Sequence, residues 1–419
     1  MAEDIRILDL ADPQLPQSFI EQSRLAAAMA DGMRLELDAL MEQASKETGL
    51  TDFGELDWQE RVEVILTGLR ENAPLTPIGK LSGIAQLVSL LKNRLLLEDL
   101  WKRHPEIEQV EQAPPIIIAG LPRSGTTHLH SLIAADPKFR SLPWWEALEP
   151  VLAESEVPDP GEEDPRFARA AAGIEFRDSV MPHFNAMHEM TVDHVHEEIH
   201  LLAIDFSTLF METIGIGRAP GFRDYYLDHD QTPHYRYLAR ILRTLQWLRG
   251  GTRWVLKSPQ HLEQIEVLAE VFPAATLVVT HRDPVATVAS FSTMIAYASR
   301  LSAAKADPVG LGHYWTDRIE TMLRRCVEDR EAFAAESSID VLFHEYMGRE
   351  LETVEKIYRL AGVSFDPDSK AALLGYQDDH PRGRFGRVRY DLADFNLDAE
   401  ELRERFRFYT DRFPVKLES

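Results

Sequence analysis

The chain has 419 residues, 44% of them hydrophobic, enough to bury the core of one large domain with an appendage or of two domains. Its 69 acidic against 45 basic residues give a formal net charge of −24, which argues against broad attraction to nucleic acid or an anionic membrane and requires a local Arg and Lys cluster to hold any anionic ligand. The single cysteine, Cys326, excludes an intramolecular disulfide framework and a cysteine-rich metal site; Met1 to Arg6 lacks the basic start and long apolar core of a signal peptide, and no window approaches a membrane span, so a soluble, cytoplasmic protein is expected.

From Pro16 to about Trp101 apolar residues recur every three or four positions, which predicts helices. Residues 1–110 are therefore expected to be a helical region acting as a cap, an oligomer surface or a support, and residues 111–419 the main domain. Pro114-Pro115 marks the boundary. Ile116 to Ala119 then read as a buried strand, Gly120 and Gly125 as loop glycines, and His128 to Ala135 as a helix whose first amides are unpaired donors suited to an anion. The glycine spacing matches the nucleotide-triphosphate loop G-x-x-x-x-G-K-[ST], except that Thr126 stands where the lysine belongs and Arg123 is the loop's only cation. An ordinary glycine turn with capping hydroxyls is the bland alternative.

Further along, the acidic run Glu154 to Pro165 predicts a surface loop. Arg253 to Leu256 predicts a strand, Gln260 to Phe272 an amphipathic helix, Ala275 to Thr280 another strand, and Asp340 to Phe343 a fourth. Strand, helix, strand argues for an α/β fold with a parallel sheet, in which ligands bind beyond the carboxyl ends of the strands. Three such ends carry polar residues: the glycine loop, Lys257-Ser258-Pro259, and His281-Arg282-Asp283-Pro284. Ser290 lies eight residues after Arg282, so the two can approach one anion from two sides and form a second anion site.

These residues resemble the sulfotransferases that use 3′-phosphoadenosine 5′-phosphosulfate (PAPS), over roughly Pro114 to Phe413. The resemblance is closer to the bacterial and tyrosylprotein members, and it implies a P-loop-like parallel sheet flanked by helices. It implies that Arg123, Ser124, Gly125, Thr126 and Thr127 hold the 5′-phosphosulfate, that Arg282 and Ser290 hold the 3′-phosphate, and that Lys257 and Ser258 touch the transferring group. Pro381 to Tyr390 resembles the family's basic glycine loop that closes over the nucleotide, with Arg382, Gly383, Arg384 and Arg387 as candidate contacts. The product would be adenosine 3′,5′-bisphosphate. No metal is expected, since a sulfuryl group carries less charge than a phosphoryl group and no compact ligand motif lies near the loop. His194, His196 and His200 invite a zinc reading, but H-x-H-E-E-I-H is not H-E-x-x-H, and a polar helix face or pocket lining is the plainer account.

The acceptor's base is less legible. Pro259 stands where cytosolic members carry a histidine, whereas tyrosylprotein and heparan members use a glutamate some twenty residues past the loop cation. That comparison points to Glu146, in Trp144-Trp145-Glu146, with His261, His196 and Glu198 as rivals and a helix cap or arginine pair as its structural alternative. The expected function is sulfuryl transfer to a small, apolar alcohol or phenol bound among Trp144, Trp145, Phe184, Phe206, Phe210, Tyr225 and Tyr226. The rivals are a divergent P-loop kinase or nucleotide hydrolase, which Thr126 argues against, and a non-catalytic nucleotide-binding module, which Lys257 and an available carboxylate argue against.

Overall fold

In the computed structural model, residues 4–71 and 74–418 are described; Met1 to Glu3 of the N-terminal segment lie outside them. A four-stranded parallel sheet forms the centre of the chain. Its strands are β2 (Ala113–Gly120), β5 (Arg253–Ser258), β6 (Thr276–His281) and β7 (Ser338–Leu342), in the order β5-β2-β6-β7. Ile116, Ile117 and Ile118 are fully buried and β6 is buried along its whole length, as expected for a sheet covered on both faces. Each such isoleucine contributes about 1.5–3 kcal/mol on burial, so this sheet is a rigid base for the loops at its carboxyl ends.

Pro114 and Pro115 lie inside β2. Neither can donate to a ladder, and the pairing with β5 shifts between Ala113 and Ile116 to pass them. The amphipathic stretch after β5 is also interrupted: a 3₁₀ turn covers Pro259–Glu263 and a helix Ile265–Val271. The region before the sheet is helical as the periodicity predicts, with helices Gln17–Gly32, Leu37–Thr48, Trp58–Glu71 and Pro77–Arg103.

One pairing has no signature in the sequence pattern. Strand β1 (Asp4–Arg6) runs parallel to β8 (Arg387–Arg389), so the N-terminal segment pins the end of the C-terminal basic loop. A single hydrophobic cluster extends from Ile7, Trp58 and Leu91 through Leu256 and Val279 to Phe413, which welds the N-terminal helices to the sheet. Two short strands, β3 (Leu142–Pro143) and β4 (Val195–His196), pair antiparallel and bring the Trp144 segment beside the histidine-rich one. Among the described residues no helix is long and apolar enough to cross a membrane.

Candidate active site

The loop after β2 leads into the helix Thr126–Ala134, whose N-cap Gly125 has φ 88° and supplies no side-chain cap. The first amides of this helix therefore remain donors without side-chain partners. Glycine is required at two positions: a Cβ on Gly120 would meet Thr280 Oγ1 at 2.0 Å, and Gly125 sits in the left-handed region against Phe343. Arg123 also has positive φ, 69°, a conformation that costs a non-glycine residue roughly 1–2 kcal/mol. It is held there from several sides. Arg282 donates to its carbonyl at 2.5 Å, while its own guanidinium donates to Ser290 Oγ at 3.0 Å, to Tyr390 Oη at 3.3 Å and to the Met187 carbonyl.

The loop hydroxyls divide into two kinds. Ser124 Oγ is buried, donates to the Leu121 carbonyl at 2.6 Å and lies 2.8 Å from Thr280 Oγ1, so it braces the loop from within. Thr126 and Thr127 line the cavities, and Thr127 Oγ1 accepts from Lys257 Nζ at 3.1 Å. Lys257, 1% exposed, also donates to Glu197 Oε1. Ser258 Oγ is buried without a hydrogen-bond partner behind this pair.

Two cavities meet at this loop. The first, about 630 Å³, is a polar cleft lined by Arg123, Thr126, Thr127, Arg282, Arg382 and Arg384, with Phe343, Tyr376 and Phe385 available for stacking. Its residues fit an adenosine bisphosphate: cations, free helix amides and aromatic faces in one concavity. The second, about 410 Å³, is largely apolar, with Phe184, Phe210, Phe291, Met294, Ile295 and Trp315 in its wall. Arg123, Thr126 and Thr127 line both.

Arg282 and Ser290 both converge on Arg123, one on its carbonyl and one on its guanidinium, and of the two only Arg282 lines the cleft. Arg282 is engaged by a carboxylate: Nε and Nη2 donate to the two oxygens of Glu418 at 2.6 and 2.7 Å, with the guanidinium 4.3 Å from the Phe343 ring centroid. In the C-terminal loop, Arg382 pairs with Glu350 at 2.5 Å and Arg384 with Glu189, both on the cleft wall beside Gly383. Arg387 lies instead in β8, exposed and paired in register with Asp4.

The candidate bases fall in different places. Glu146 is fully buried, and its carboxylate accepts from Arg140 at 2.7 and 2.8 Å and from Arg249 at 2.9 Å, which is the structural alternative weighed above. It lines neither cavity. Glu198 accepts from the Lys257 amide at 2.9 Å and pairs with His261, whose Nδ1 lies 2.9 Å from Tyr235 Oη. Burial alone would raise the Glu198 pKa, but His261 and these hydrogen bonds hold it below its ordinary value. This network supports β5 from behind. His196 lines the apolar cavity, and burial drives it well below the ordinary histidine range; its Nε2 is 3.0 Å from His200 Nδ1 and its Nδ1 is unpartnered. His188, His194 and His196 bring potential ligand nitrogens within 4.8 Å of one another.

Glu197 is the residue that sequence reasoning passed over. It lines the apolar cavity and pairs with Lys257 at the junction, but nothing in Glu197-Glu198 tells which carboxylate turns outward. The aromatic pocket also differs from expectation. Trp144, Phe184 and Phe210 line it, whereas Trp145 packs on Arg166 and Arg249, Phe206 on Trp58, Tyr226 near Arg318, and Tyr225 on His229.

The chain is similar to the omega-hydroxy-beta-dihydromenaquinone-9 sulfotransferase Stf3 of Mycobacterium bovis and Mycobacterium tuberculosis, at 29% identity over 186 residues. That match spans 42% of this chain and 44% of the relatives' length, less than half of each. Among solved structures, sulfotransferase STF9 from Mycobacterium avium superposes with a TM-score of 0.81 at 25% identity, covering 93% of this chain and 99% of that one. Sulfotransferase STF1 from Mycobacterium tuberculosis gives 0.77 at 29% identity, covering 88% and 98%. The sequence model of the sulfotransferase family matches residues 114–367, which hold the glycine loop and the four strands of the parallel sheet from Pro114 onward, and the chain therefore belongs to that family.

Proposed function

We propose that the protein transfers the sulfuryl group of PAPS to a hydroxyl of an apolar acceptor. The observation that carries this reading is the meeting of a cationic cleft and an apolar cavity at Arg123, Thr126 and Thr127, with the Lys257–Glu197 pair beside the junction. The name of the Stf3 relatives accords with a hydroxylated acceptor.

The bound donor supplies an activated sulfuryl group. The residues of this chain then have separate tasks. Arg282, Arg382 and Arg384 anchor the nucleotide's phosphate charges, and Arg382 and Arg384 exchange their present carboxylate partners for them. Arg123, Lys257 and the amides of the helix Thr126–Ala134 face charge that gathers on the departing 5′-phosphate oxygen, where preorganised donors are most effective. Glu197 takes the proton from the acceptor hydroxyl as its oxygen attacks sulfur and the bond to the phosphate oxygen breaks. Wall residues such as Phe210 and Trp315 exclude water from the nucleophile's side.

The test is a single-turnover assay with labelled PAPS. Glu197→Gln keeps the shape of the side chain but cannot take the proton, so transfer should slow by about a hundredfold or more while adenosine 3′,5′-bisphosphate binding holds. A wild-type rate in that variant removes Glu197 from the mechanism. Binding of the bisphosphate no tighter than AMP by the wild-type protein overturns the PAPS reading itself.

A further inference from the structure

The apolar cavity does not end at its own back wall. A second chamber of about 490 Å³ adjoins it, and Gln86, Trp144, Arg177, His200 and Phe210 line both. The Trp144 and His200 ring centroids are 5.0 Å apart and those of His200 and Phe210 4.5 Å apart, so three rings in contact form one side of the neck between the chambers, with Gln86 and Arg177 as its other shared residues. Beyond the neck the space lies between the helix Pro77–Arg103 and the helix Pro165–Val180. Its width comes from small residues, Ser82 and Ser89 on one side and Ala170 and Gly173 on the other. A Cβ built on Gly173 meets nothing within 4 Å, and Gly173 is exposed, so the chamber opens to the surface there.

The charges at this chamber are already satisfied. Arg169 pairs with Glu149 and Glu156, and Arg177 with Asp178 and Asn185. No free cation is left on its wall among the described residues to hold an anionic ligand of its own, and what remains is apolar surface continuous with the acceptor cavity. A compact phenol needs only the first chamber.

Resting on the sulfuryl-transfer reading, we infer that the acceptor is a hydroxyl at the end of an extended apolar chain, whose tail passes the Trp144–His200–Phe210 neck and lies between the helices Pro77–Arg103 and Pro165–Val180. The N-terminal helical region thereby forms half of the tail site and selects for chain length.

The experiment compares octan-1-ol with hexadecan-1-ol as acceptors, each presented on the same carrier, for wild type, Gly173→Phe and Gly173→Ala. The helix keeps its fold in both variants, because the added side chain has open space and glycine is the weaker helix former. Each additional buried methylene is worth up to about fourfold in kcat/KM, so wild type should prefer the longer alcohol by well over about tenfold. Gly173→Phe should erase most of that preference and leave octan-1-ol turnover unchanged, with Gly173→Ala close to wild type. Equilibrium binding of radiolabelled hexadecan-1-ol to wild type and to Gly173→Phe should differ in the same sense without any turnover. Equal use of both alcohols by wild type, or an equal loss for both in Gly173→Phe, overturns the tail site while leaving sulfuryl transfer standing. Absence of transfer to either alcohol, together with equal hexadecan-1-ol binding by the two proteins, likewise overturns the tail site, whereas the sulfuryl-transfer reading falls only on bisphosphate binding no tighter than AMP.

Discussion

The cationic cleft and the apolar cavity share Arg123, Thr126 and Thr127 and both take wall from residues 184–200, but the rest of each is built differently. The cleft's cations come from three short segments, the glycine loop and Arg282 at the carboxyl ends of adjacent parallel strands and Arg382 to Arg384 of the C-terminal loop, with Asn185 to Val195 also in its wall. The apolar cavity draws on Gln86 from the N-terminal helices, Trp144, the His188 to His200 segment, Phe210, Phe291 and Trp315, side chains that share no local motif. Holding a charged ligand requires fixed backbone and local cations, which the ends of a buried sheet provide. Shaping a cavity to an acceptor requires only side-chain volume, which any packed element can supply.

The two ends are also braced differently. Glu146 lies under the Trp144 turn, tied to Arg140 and Arg249, and it fixes the frame of the acceptor side without facing either cavity. Glu146→Gln removes the charge that both arginines face, and breaking a buried pair from one side costs on the order of 3 kcal/mol. The expected result is a clear drop in denaturant midpoint with unchanged single-turnover rate in the folded fraction. A hundredfold slower transfer with unaltered stability would instead return Glu146 to the role of base.

At the nucleotide end, Arg282→Ala should cut the preference for adenosine 3′,5′-bisphosphate over AMP by roughly ten- to a hundredfold, the range for a charge-assisted hydrogen bond. Acceptor selectivity, measured as the ratio of kcat/KM for two alcohols at saturating donor, should stay the same. A shift in that ratio would show that the ends are not separable.

A smaller effect is expected from Glu418. Its carboxylate grips the guanidinium proposed to hold the 3′-phosphate, and its amide donates to Asp283 at 2.7 Å. Bound nucleotide must displace it, so Glu418→Gln should tighten bisphosphate binding by a few-fold in isothermal titration, with AMP unaffected. Unchanged or weaker bisphosphate binding would mean that Arg282 serves the C-terminal tail and not the ligand.

The smallest expected effect is that of chelation. With Arg123, Lys257 and helix amides as the charge stabilisers, turnover should survive exhaustive treatment with a chelator. Activity lost on chelation and restored by zinc would direct attention to the nitrogens of His188, His194 and His196 on the acceptor side.

Local chemistry made the glycine loop and the sheet readable in advance. Glycines at positions 120 and 125, a loop arginine and a strand before them follow from steric and dipole rules that act over a few residues, and the strand, helix, strand order entails a parallel sheet. The helical character of Pro16 to Trp101 was equally plain from its period. What that region lines was not, because Gln86 and Ser89 come to face a chamber only when the helix Pro77–Arg103 packs near the helix Pro165–Val180 and leaves a space. The same holds for the glutamates. Glu146 and Glu197 both sit in aromatic and histidine-rich stretches, and only packing places one between two arginines and the other against Lys257 at a cavity wall. Backbone geometry and charge at a strand end are properties of neighbouring residues, so the sequence alone determined the fold class and the glycine loop. The acceptor cavity, its second chamber and the choice among carboxylates depend on which distant side chains fail to fill a volume, and that is decided only in the folded chain.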